Sequence, residues 1–581
     1  LCYPFLSRSP RDRPSLFDIL LALVAVLVVG YWIIEFEDLN YRIGSETELD
    51  YAVCIVGILI SLEVARRVLG FTMALMGIIF MSYAYFGPYL PDLIAHRGFS
   101  IERISEFLYL QQDGVFGIMA DVLVTYVILF IFFGSFLKKS GAGAFFLELP
   151  LALAGNKYGG PAKVAVIASG FFGSVSGSAI ANTVSTGAFT IPLMKKAGFR
   201  PHVAGAIEPA ASIGGMFMPP IMGAGGFLMA ELTDTPYSQI MLMAFFPAFI
   251  YFLSVYVMVH YEAKRYGLKP ERDANAPTAG QILKKQWFMA LPLVIIVAMM
   301  LIGFSAGNAA FWATLSCIAV SWLTKDHRMG PKEIIEAMLD GARSTLVIGA
   351  TVGVIGMIVG SIALTGIGLR FSEIIISLSG GSLVGAILLV GIASLVLGMG
   401  VPVTAAYLIT AVLAVPALSG LIEAGVPGGA ESLAAAEVAK WALLSSHMIV
   451  YWFSQDSNIT PPVCVAAYAG AAIAGADPWK TGWTSFKFAK MLYMGPLLFA
   501  FAPGFLLFGS WDQITFAWIT IILGAIAFGS LTMGYMLCPM TILEWVVMAC
   551  ATTLLFFPYV IAFHDAVPRV LADVLGIGLW L

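Results

Sequence analysis

One uncharged stretch constrains the fold of this chain more than any other feature. Val164 to Met194 contains no Asp, Glu, Lys or Arg, and it is bounded by Lys163 and Lys195. As one helix these 31 residues would be about 46 Å long, too long for a single crossing of a hydrocarbon core about 30 Å thick and too short for two. Lysines at both ends indicate that both ends lie on the cytoplasmic side. The stretch therefore predicts two half-helices that turn near the membrane midplane.

The middle of this stretch, SVSGSAIANT at residues 174–183, contains small and polar side chains that are poorly suited to lipid. Backbone that leaves its helical hydrogen bonds at membrane depth is tolerated only where it is buried in protein or lines a cavity. We therefore expect the tip of a helical hairpin here, with polar atoms that bind an ion or a substrate. The alternative is one tilted helix whose Ser and Gly residues pack against neighbouring helices.

The composition agrees with a polytopic membrane protein. Of the 581 residues 60% are hydrophobic and 11% are charged, whereas a soluble domain has about 25% charged residues. The net charge of −4 gives no indication of a nucleic-acid partner. The six Cys and six His show no metal-ligand spacing, and the sequence contains no GxxxxGK[ST] loop for ATP. The lipid bilayer is therefore the first expected partner.

Basic residues orient the predicted spans by the positive-inside rule. Arg8, Arg11 and Arg13 precede a first span at about 16–34, and an acidic loop follows it, so the N-terminus is expected on the cytoplasmic side. A short amphipathic segment, FSIERISEFLYL, lies in an outer loop before a span at about 118–137. Later spans are predicted at about 238–259, 287–305, 307–324, 346–365 and 491–509.

Three further interruptions follow the same plan as the first. SIGGMFMPPIMG at 212–223 and QDSNITPPV at 455–463 break apolar segments, and GMGVPVTAA at 398–406 lies within a long uncharged run. The order of hairpin and then broken helix occurs twice, and acidic Glu423 and Glu431 follow the second hairpin where lysines follow the first. Paired interrupted segments in two inverted halves indicate a secondary transporter whose binding site lies at the breaks.

The expected fold is thus an all-α polytopic membrane protein with two inverted repeats, two re-entrant helical hairpins and two broken helices. The repeats are predicted at about 113–260 and 340–509.

At these residues the chain resembles a known family. GSVSGSAIANT, AGAIEPAASIGGMFMPPIMGA and NITPPVCVAAYAGA are similar to the large membrane subunit of tripartite ATP-independent periplasmic (TRAP) transporters, over about 113–509. Residues 1–112 resemble the small membrane subunit of that family, and the span at 118–137 fits either part. Residues 510–581 resemble extra C-terminal spans of fused members. The motifs IEPAAS and GGMFMPP are most similar to the branch served by TAXI-type solute-binding proteins.

The resemblance implies an elevator-type importer in a bacterial inner membrane. A TAXI-like periplasmic solute-binding protein would deliver a small organic anion, dicarboxylate or amino-acid-like, and a Na+ or H+ gradient would drive uptake. The fused small-subunit spans would brace the scaffold and let a monomer work. The outer segments expected to contact the binding protein are Glu35–Asp50, Asp92–Glu106, Glu231–Tyr237 and Leu421–Glu431.

The resemblance also assigns site residues to the hairpin tips and the breaks. Ion-binding site 1 is carried over to Ser178, Asn182, Gly215, Met218 and Pro220. Ion-binding site 2 is carried over to Gly398, Gly400, Ser457, Thr460 and Val463. The substrate is expected to contact Ser176, Ser178, Asn182, Thr404 and Asn458. No transition metal is expected, and no cofactor beyond the coupling ion.

Two carboxylates, Glu208 and Asp456, lie deep within predicted crossings. An intramembrane carboxylate is costly unless it is paired, hydrated or protonated, so both are candidates for coupling transport to an ion gradient. An alternative for Asp456 is a capping role at the start of the second half-helix. The second break also departs from the glycine-rich pattern common in the family, since Asp456 and Asn458 precede TPP, and both Na+ and H+ remain open as coupling ions.

Two other functions fit parts of the sequence. One is a free-standing, ion-coupled carboxylate transporter of similar inverted-hairpin design that needs no binding protein. The other is an intramembrane enzyme with Asp456, Glu208 or His447 as catalysts. His447 and Asp456 are nine residues apart, about 13 Å along a straight helix, and no nucleophile–base spacing accompanies them. The sequence therefore favours a transporter over an enzyme.

Overall fold

The computed structural model describes residues 14–268, 277–324, 327–425 and 433–558. Within these ranges the chain is helical and contains no β-strand, as predicted. Eight of the described helical segments are long and apolar enough to cross a membrane, which identifies a multi-pass membrane protein. They are Leu16–Ile34, Phe71–Tyr89, Ile118–Lys139, Tyr237–Arg265, Ala279–Ile302, Pro331–Thr365, Val403–Ala424 and Trp511–Met533.

Some of the sequence expectations lie outside the described residues. These are the orienting Arg8, Arg11 and Arg13, the acidic Glu431 with most of its loop, and residues 559–581 of the predicted extra C-terminal spans.

The N-terminal block begins with two antiparallel helices that are joined at both ends. Arg67 Nη1 lies 2.8 Å from Asp18 Oδ1 at one end, and Tyr31 Oη donates to Asp50 Oδ1 at 2.5 Å at the other. Both carboxylates are buried, so these contacts fix the first pair of helices. The block consists of α1 (Leu16–Ile34), α2 (Phe36–Tyr41), α3 (Glu48–Leu69), α4 (Phe71–Phe86) and α5 (Ile101–Tyr109). Helix α1 matches the predicted first span, and α5 matches the predicted amphipathic segment.

The first hairpin and the first broken helix occur where the sequence predicts them. The helices of this part are α6 (Ile118–Val122), α7 (Ile128–Lys139), α8 (Ala142–Ala154), α9 (Gly160–Ser176), α10 (Ala179–Lys196), α11 (Pro201–Gly214), α12 (Gly223–Leu232) and α13 (Tyr237–Arg265). A π-helical turn at Leu123–Val127 joins α6 to α7 in one span. Because α9 and α10 are separate helices that pack against each other, the single tilted helix is wrong.

The tip of this first hairpin forms for local reasons. Gly177 has a φ of +60°, in the left-handed region that residues with a side chain rarely adopt. Ser178 then accepts a hydrogen bond from the Ala181 amide at 3.3 Å and begins α10 as its N-cap. The polar residues of SVSGSAIANT thus end one helix and start the next.

The second half of the chain repeats this order. A second hairpin is formed by two packed helices, with Gly400 at a φ of +79° in its tip. The helices up to this hairpin are α14 (Ala279–Gln286), α15 (Leu291–Ile302), α16 (Ala306–Ser321), α17 (Pro331–Thr365), α18 (Ile367–Leu378), α19 (Leu383–Leu397) and α20 (Val403–Ala424). After it come α21 (Ala435–Phe453), α22 (Val465–Ala474), α23 (Pro478–Phe488), α24 (Met491–Phe501), α25 (Trp511–Met533) and α26 (Ile542–Phe556), and the second break separates α21 from α22.

The long helix α17 is the main contact between the N-terminal block and the rest of the chain. It packs against α3, α4, α5 and α7. Close approach depends on glycine, since a Cβ added at Gly360 would lie 2.9 Å from the Asp113 carbonyl oxygen. The helix begins at Pro331 instead of near residue 346, because polar turns that carry charged side chains precede its apolar part.

The helices that contain both breaks pack together as a bundle outside the N-terminal block. Within it α11 packs against α9, α10, α22 and α23, and α21 packs against α20 and α24. The crossing of α11 and α22 is close because a Cβ at Gly205 would lie 2.9 Å from the Gly470 carbonyl oxygen. Ser485 of α23 also donates to the Ala206 carbonyl oxygen at 2.9 Å. The two broken helices therefore form one packed unit.

Lys163, which bounds the uncharged stretch, lies inside the first hairpin. The side chain is buried, and Nζ lies 3.0 Å from His260 Nδ1 and 4.8 Å from the centre of the Tyr256 ring. Helix α9 begins three residues earlier, at Gly160, so Lys163 is part of the hairpin and packs against α13.

Candidate functional site

The tip of the first hairpin lies directly against the first break. Gly173 of α9 and Gly215 meet at their backbones, and a Cβ added to either would collide with the other residue. The Ile221 amide donates to the Ser174 carbonyl oxygen at 3.3 Å, which joins the two segments further. The structure therefore brings SVSGSAIANT and SIGGMFMPP together at one junction, called junction 1 below.

Asn182 is the buried polar side chain at junction 1. Its Nδ2 donates to the Ser169 carbonyl oxygen at 3.2 Å, and Nδ2 would lie 3.1 Å from a Cβ at Gly173. Its Oδ1 is buried and accepts no hydrogen bond from any residue that the structure describes. An unpaired buried acceptor costs about 1–3 kcal/mol, so Oδ1 is a natural ligand for a cation or for a donor on a substrate.

The two serines expected at this tip have local partners. Ser178 caps α10, and Ser176 Oγ lies 3.4 Å from both the amide and the carbonyl oxygen of Ser178. Neither serine is fully buried. They shape the tip and leave its outer surface accessible.

Two tyrosine hydroxyls donate hydrogen bonds to carbonyl oxygens of the first break. Tyr237 Oη lies 2.8 Å from the carbonyl oxygens of both Pro220 and Ile221. Tyr451 Oη reaches the carbonyl oxygens of Met216, at 2.5 Å, and Met222. The Pro220 carbonyl, which the family resemblance assigns to ion-binding site 1, thus already accepts a hydrogen bond. The Gly215 carbonyl accepts only a long bond, 3.4 Å, from the Met218 amide among the described backbone contacts. Sequence reasoning missed both tyrosines, and nothing in their local sequence distinguishes them.

The second hairpin meets the second break in a similar way. A Cβ at Gly398 would lie 3.0 Å from Ser457 Oγ, so the predicted pair of Gly398 and Ser457 is in contact, and this contact defines junction 2. Gly400 instead faces the N-terminal block, where its Cβ would lie 3.1 Å from Thr72 Cγ2 of α4. Thr460 Oγ1 pairs with the Tyr493 hydroxyl of α24.

Of the other residues predicted at junction 2, two are half-buried and one forms a hydrogen bond to a nearby residue of the same break. Val463 and Thr404 are half-buried. Asn458 is buried, and its Nδ2 lies 3.4 Å from the Gln455 carbonyl oxygen.

Junction 2 contains a cluster of buried polar atoms that lack partners. Asp456 is 2% exposed, and Gln455 and Ser394 are 0% exposed. Asp456 Oδ1, both side-chain polar atoms of Gln455 and Ser394 Oγ form no hydrogen bond within the described ranges. Helix α19, which carries Ser394, packs against the turn at Asp456–Asn458. Sequence reasoning missed Ser394 and Gln455, although Gln455 belongs to the quoted QDSNITPPV.

The structure rules out two alternative roles for these groups. Helix α22 begins after Cys464 and has no side-chain cap, so Asp456 does not cap the second half-helix. His447 Nδ1 lies 2.9 Å from the Tyr407 hydroxyl, which is its hydrogen-bond partner. The described contacts include none between His447 and Asp456, the two residues considered as catalysts of an enzyme. Both observations leave Asp456 available to a ligand.

The comparison with protein families identifies this arrangement. The model described as "Tripartite ATP-independent periplasmic transporter, DctM component" matches residues 56–505, which include both hairpins and both breaks. This chain belongs to the DctM family of TRAP transporters. The matched region begins within α3 and ends just before α25.

Individual relatives of this DctM-family chain are distant. A TRAP transporter large permease protein of Haemophilus influenzae is 27% identical over 220 residues, 38% of this chain and 51% of the relative. The 2,3-diketo-L-gulonate TRAP transporter large permease protein of Escherichia coli is 23% identical over 168 residues, 29% of this chain and 39% of the relative. A sialic acid TRAP transporter permease protein of Haemophilus influenzae is 21% identical over 252 residues, 43% of this chain and 40% of the relative.

The chain thus spans about half the length, or less, of these curated relatives. Among solved structures, the YdaH transporter of Alcanivorax borkumensis is 15% identical, with a TM-score of 0.47, covering 74% of this chain and 97% of that chain.

Proposed function

We propose that this chain is a secondary active importer that moves a small organic anion across the bacterial inner membrane together with Na+ or H+. The proposal rests on the two junctions, where a hairpin tip meets a helix break. Each holds a buried polar atom with no hydrogen-bond partner among the described residues: Asn182 Oδ1 at junction 1 and Asp456 Oδ1 at junction 2. Membership of the DctM family supports a transport role. Relatives named for diketogulonate and sialic acid, both organic acids, support an anionic substrate.

The helix ends at the junctions supply the electrostatics for both ligands. Helices α10, α12, α20 and α22 begin there, and their N-terminal amides favour a carboxylate group. Helices α9, α11, α19 and α21 end there, and their carbonyl oxygens favour a small cation. An anion and a cation bound side by side would therefore stabilise each other.

Under this proposal each junction holds one coupling ion and the substrate lies between them. Junction 1 would bind through Asn182 with Ser178 and the carbonyls of Gly215, Met218 and Pro220, the last through the lone pair that Tyr237 does not use. Junction 2 would bind through Ser457 and Thr460 with the backbone of Gly398, Gly400 and Val463, and the Asp456 charge would strengthen a cation site. Ser176, Thr404 and Asn458 would contact the substrate. Glu208 and Asp456 remain the candidates for coupling to the gradient.

We also propose an elevator mechanism in a monomer built from two inverted repeats. The bundle with both junctions would move, and the N-terminal block with α17 would be the fixed scaffold. The close packing of α17 on α3, α4 and α5 supports a rigid brace of this kind. Residues 1–112 would correspond to a fused small subunit, 113–509 to the large subunit and 510–581 to extra spans.

A periplasmic, TAXI-like binding protein is the proposed partner, with the N-terminus of this chain in the cytoplasm. Two of the segments expected to contact it, Glu35–Asp50 and Asp92–Glu106, line one cavity. Arg370 of α18 donates to the Asp92 carbonyl oxygen at 3.1 Å, and a cavity of about 300 Å³ lies between Glu46 and Glu106 of the first two segments. Lys440 Nζ of α21 donates to Gln239 Oε1 of α13 at 3.2 Å, two residues after Glu231–Tyr237.

The test is uptake into proteoliposomes of a panel of labelled organic acids, with and without the binding protein encoded nearest to this chain. Uptake that needs the binding protein supports the proposal, and uptake without it supports the free-standing transporter. Replacing Glu46 and Asp92 by Lys should weaken docking in a salt-dependent way, because exposed charges act within about 10 Å at moderate ionic strength. Asp340→Lys, on the exposed first part of α17, is the matched control.

A further inference from the structure

Glu208 lies midway along α11, and its side chain is 0% exposed. Three hydroxyls of the first hairpin surround its carboxyl group. Ser169 Oγ of α9 donates to Oε1 at 2.7 Å, Thr186 Oγ1 of α10 reaches the same oxygen, and Thr190 Oγ1 reaches Oε2. Gly187 leaves room for this group, since its added Cβ would lie 3.1 Å from Glu208 Cγ.

Charged neighbours do not neutralise this carboxyl group. Helix α11 packs against α9, α10, α13, α22 and α23, and none of the described ionisable groups on these helices forms an ion pair with Glu208. Tyr251 of α13 donates to the Ala210 carbonyl oxygen at 2.6 Å. The ionisable groups on the packed helices and on α11 itself are Lys163, Lys195, Lys196, His202, Tyr237, Tyr251, Tyr256, His260, Tyr261, Glu262, Lys264, Arg265, Tyr468, Lys480 and Lys487.

Both threonine hydroxyls have a second acceptor within reach. Thr186 Oγ1 lies 2.8 Å from the Asn182 carbonyl oxygen, and Thr190 Oγ1 lies 3.0 Å from the Thr186 carbonyl oxygen. A hydroxyl has one proton to donate and can also accept. When Glu208 is ionised, all three hydroxyls can donate to the carboxylate. When it is protonated, its O–H can donate to Thr190 Oγ1, and the Thr190 proton can turn to the Thr186 carbonyl oxygen.

This cluster therefore fits both protonation states of one buried acid. In both states the two carboxyl oxygens of Glu208 keep hydroxyl partners from Ser169, Thr186 and Thr190. Hydroxyl rotation, without movement of any helix, is enough to pass from one state to the other. Junction 2 is different, because Asp456 Oδ1 has no hydrogen-bond partner in the described structure.

The cluster is also connected to junction 1. Asn182 Nδ2 donates to the carbonyl oxygen of Ser169, whose hydroxyl donates to Glu208. The Thr186 hydroxyl, which reaches Glu208 Oε1, also lies 2.8 Å from the Asn182 carbonyl oxygen, so it can turn from one acceptor to the other. A proton on Glu208 and a ligand on Asn182 would thus influence each other, and such coupling is reciprocal.

We propose that Glu208 takes up and releases the proton that couples transport to a pH gradient, with Ser169, Thr186 and Thr190 as its adaptable partners. One proton from hydronium on the outer side binds the carboxylate, and the acid returns it to water on the inner side. No bond between heavy atoms changes. The inference rests on the proposed transport function and separates the roles of its two carboxylates: Glu208 carries the proton, and Asp456 faces the ligand.

The test is infrared difference spectroscopy of the purified chain in lipid nanodiscs, titrated from basic to mildly acidic pH. The wild type should gain the C=O band of a buried carboxylic acid, and Glu208→Gln should lose that band. Asp456→Asn is the control and should retain it. Thr190→Val should shift the band to higher frequency, because the acid proton loses its acceptor, and Thr190→Ser should keep the wild-type frequency.

Absence of the band from the wild type, or its persistence in Glu208→Gln, would overturn the proposal. If Glu208→Gln does not fold, the comparison of Thr190→Val with Thr190→Ser decides alone, and equal frequencies in the two variants would count against Glu208. The titration needs neither substrate nor binding protein. Failure of the proposed transport function would therefore leave this measurement, and its answer, unaffected.

Discussion

Tyr451 lies two residues before the end of α21, next to the second break, yet its hydroxyl donates to the Met216 carbonyl oxygen of the first break at 2.5 Å. Its neighbour Trp452 stacks on Phe217 of the first break, with ring centres 4.4 Å apart. These contacts join the two breaks, which come from different halves of the chain, into one unit. We therefore expect a ligand that orders one break to affect the other.

Tyr451→Phe should weaken this connection. The substitution leaves the Met216 and Met222 carbonyls without their hydroxyl donor, at a cost of about 1–3 kcal/mol in stability. We expect a lower melting temperature and at least a several-fold loss of uptake. Tyr407→Phe is the matched control, because its buried hydroxyl pairs with His447 and touches neither break. Equal uptake by Tyr451→Phe and the wild type would contradict the connection.

Gly173→Ala should disrupt junction 1. The new Cβ would collide with the Gly215 backbone, which has no flexible side chain to move aside, and overpacking of this kind costs about 1–3 kcal/mol. Gly170→Ala on the same helix is the control, since its Cβ would lie 3.5 Å from the Phe252 ring, an ordinary contact. Thermal unfolding in detergent should separate the two variants. Similar melting temperatures would mean that the hairpin tip does not depend on the close glycine contact.

Asn182→Ala should lower transport about tenfold or more with little change in stability. The substitution removes Oδ1, which has no partner in the described structure, so the fold loses only the bond from Nδ2 to Ser169. Ser185→Ala, at an exposed position of α10, is the control and should transport normally. Wild-type uptake by the Asn182 variant would remove this side chain from the binding site.

The positions of both hairpins and both breaks are predictable from the sequence. An uncharged stretch of the wrong length for one crossing, with Gly and Ser in its middle, has few other solutions in a membrane. The burial of Asn182 and Asp456 at these positions also agrees with the sequence, in which an amide and a carboxylate stand among apolar neighbours.

Side chains that come from a distant part of the chain are not predictable in this way. Tyr451 and Tyr237 bond to the first break because of how α21 and α13 cross it, and a helical pattern does not encode that crossing. Gly400 faces Thr72 of the N-terminal block for a similar reason. The contacts of Lys163 with Tyr256 and His260 likewise depend on how α13 packs against α9.

Asp456→Asn should weaken activation by the coupling cation about tenfold or more. The variant keeps the shape of the side chain but removes a buried negative charge, so stability should stay the same or rise. Asp512→Asn, at the exposed start of α25, is the control. The measurement is uptake as a function of Na+ concentration at fixed pH. An unchanged dependence on Na+ in the Asp456 variant would mean that junction 2 holds no cation there.

Gradient-driven uptake is the most direct test of a binding-protein-dependent, ion-coupled importer with its ligands at the two junctions. The measurement is accumulation of a labelled organic acid in proteoliposomes, with an inward Na+ or H+ gradient, with the binding protein present or absent. Accumulation above equilibrium should need both the gradient and the binding protein, and it should be lost in Asn182→Ala and Asp456→Asn. Accumulation that persists without any ion gradient, or in both variants, would contradict this function.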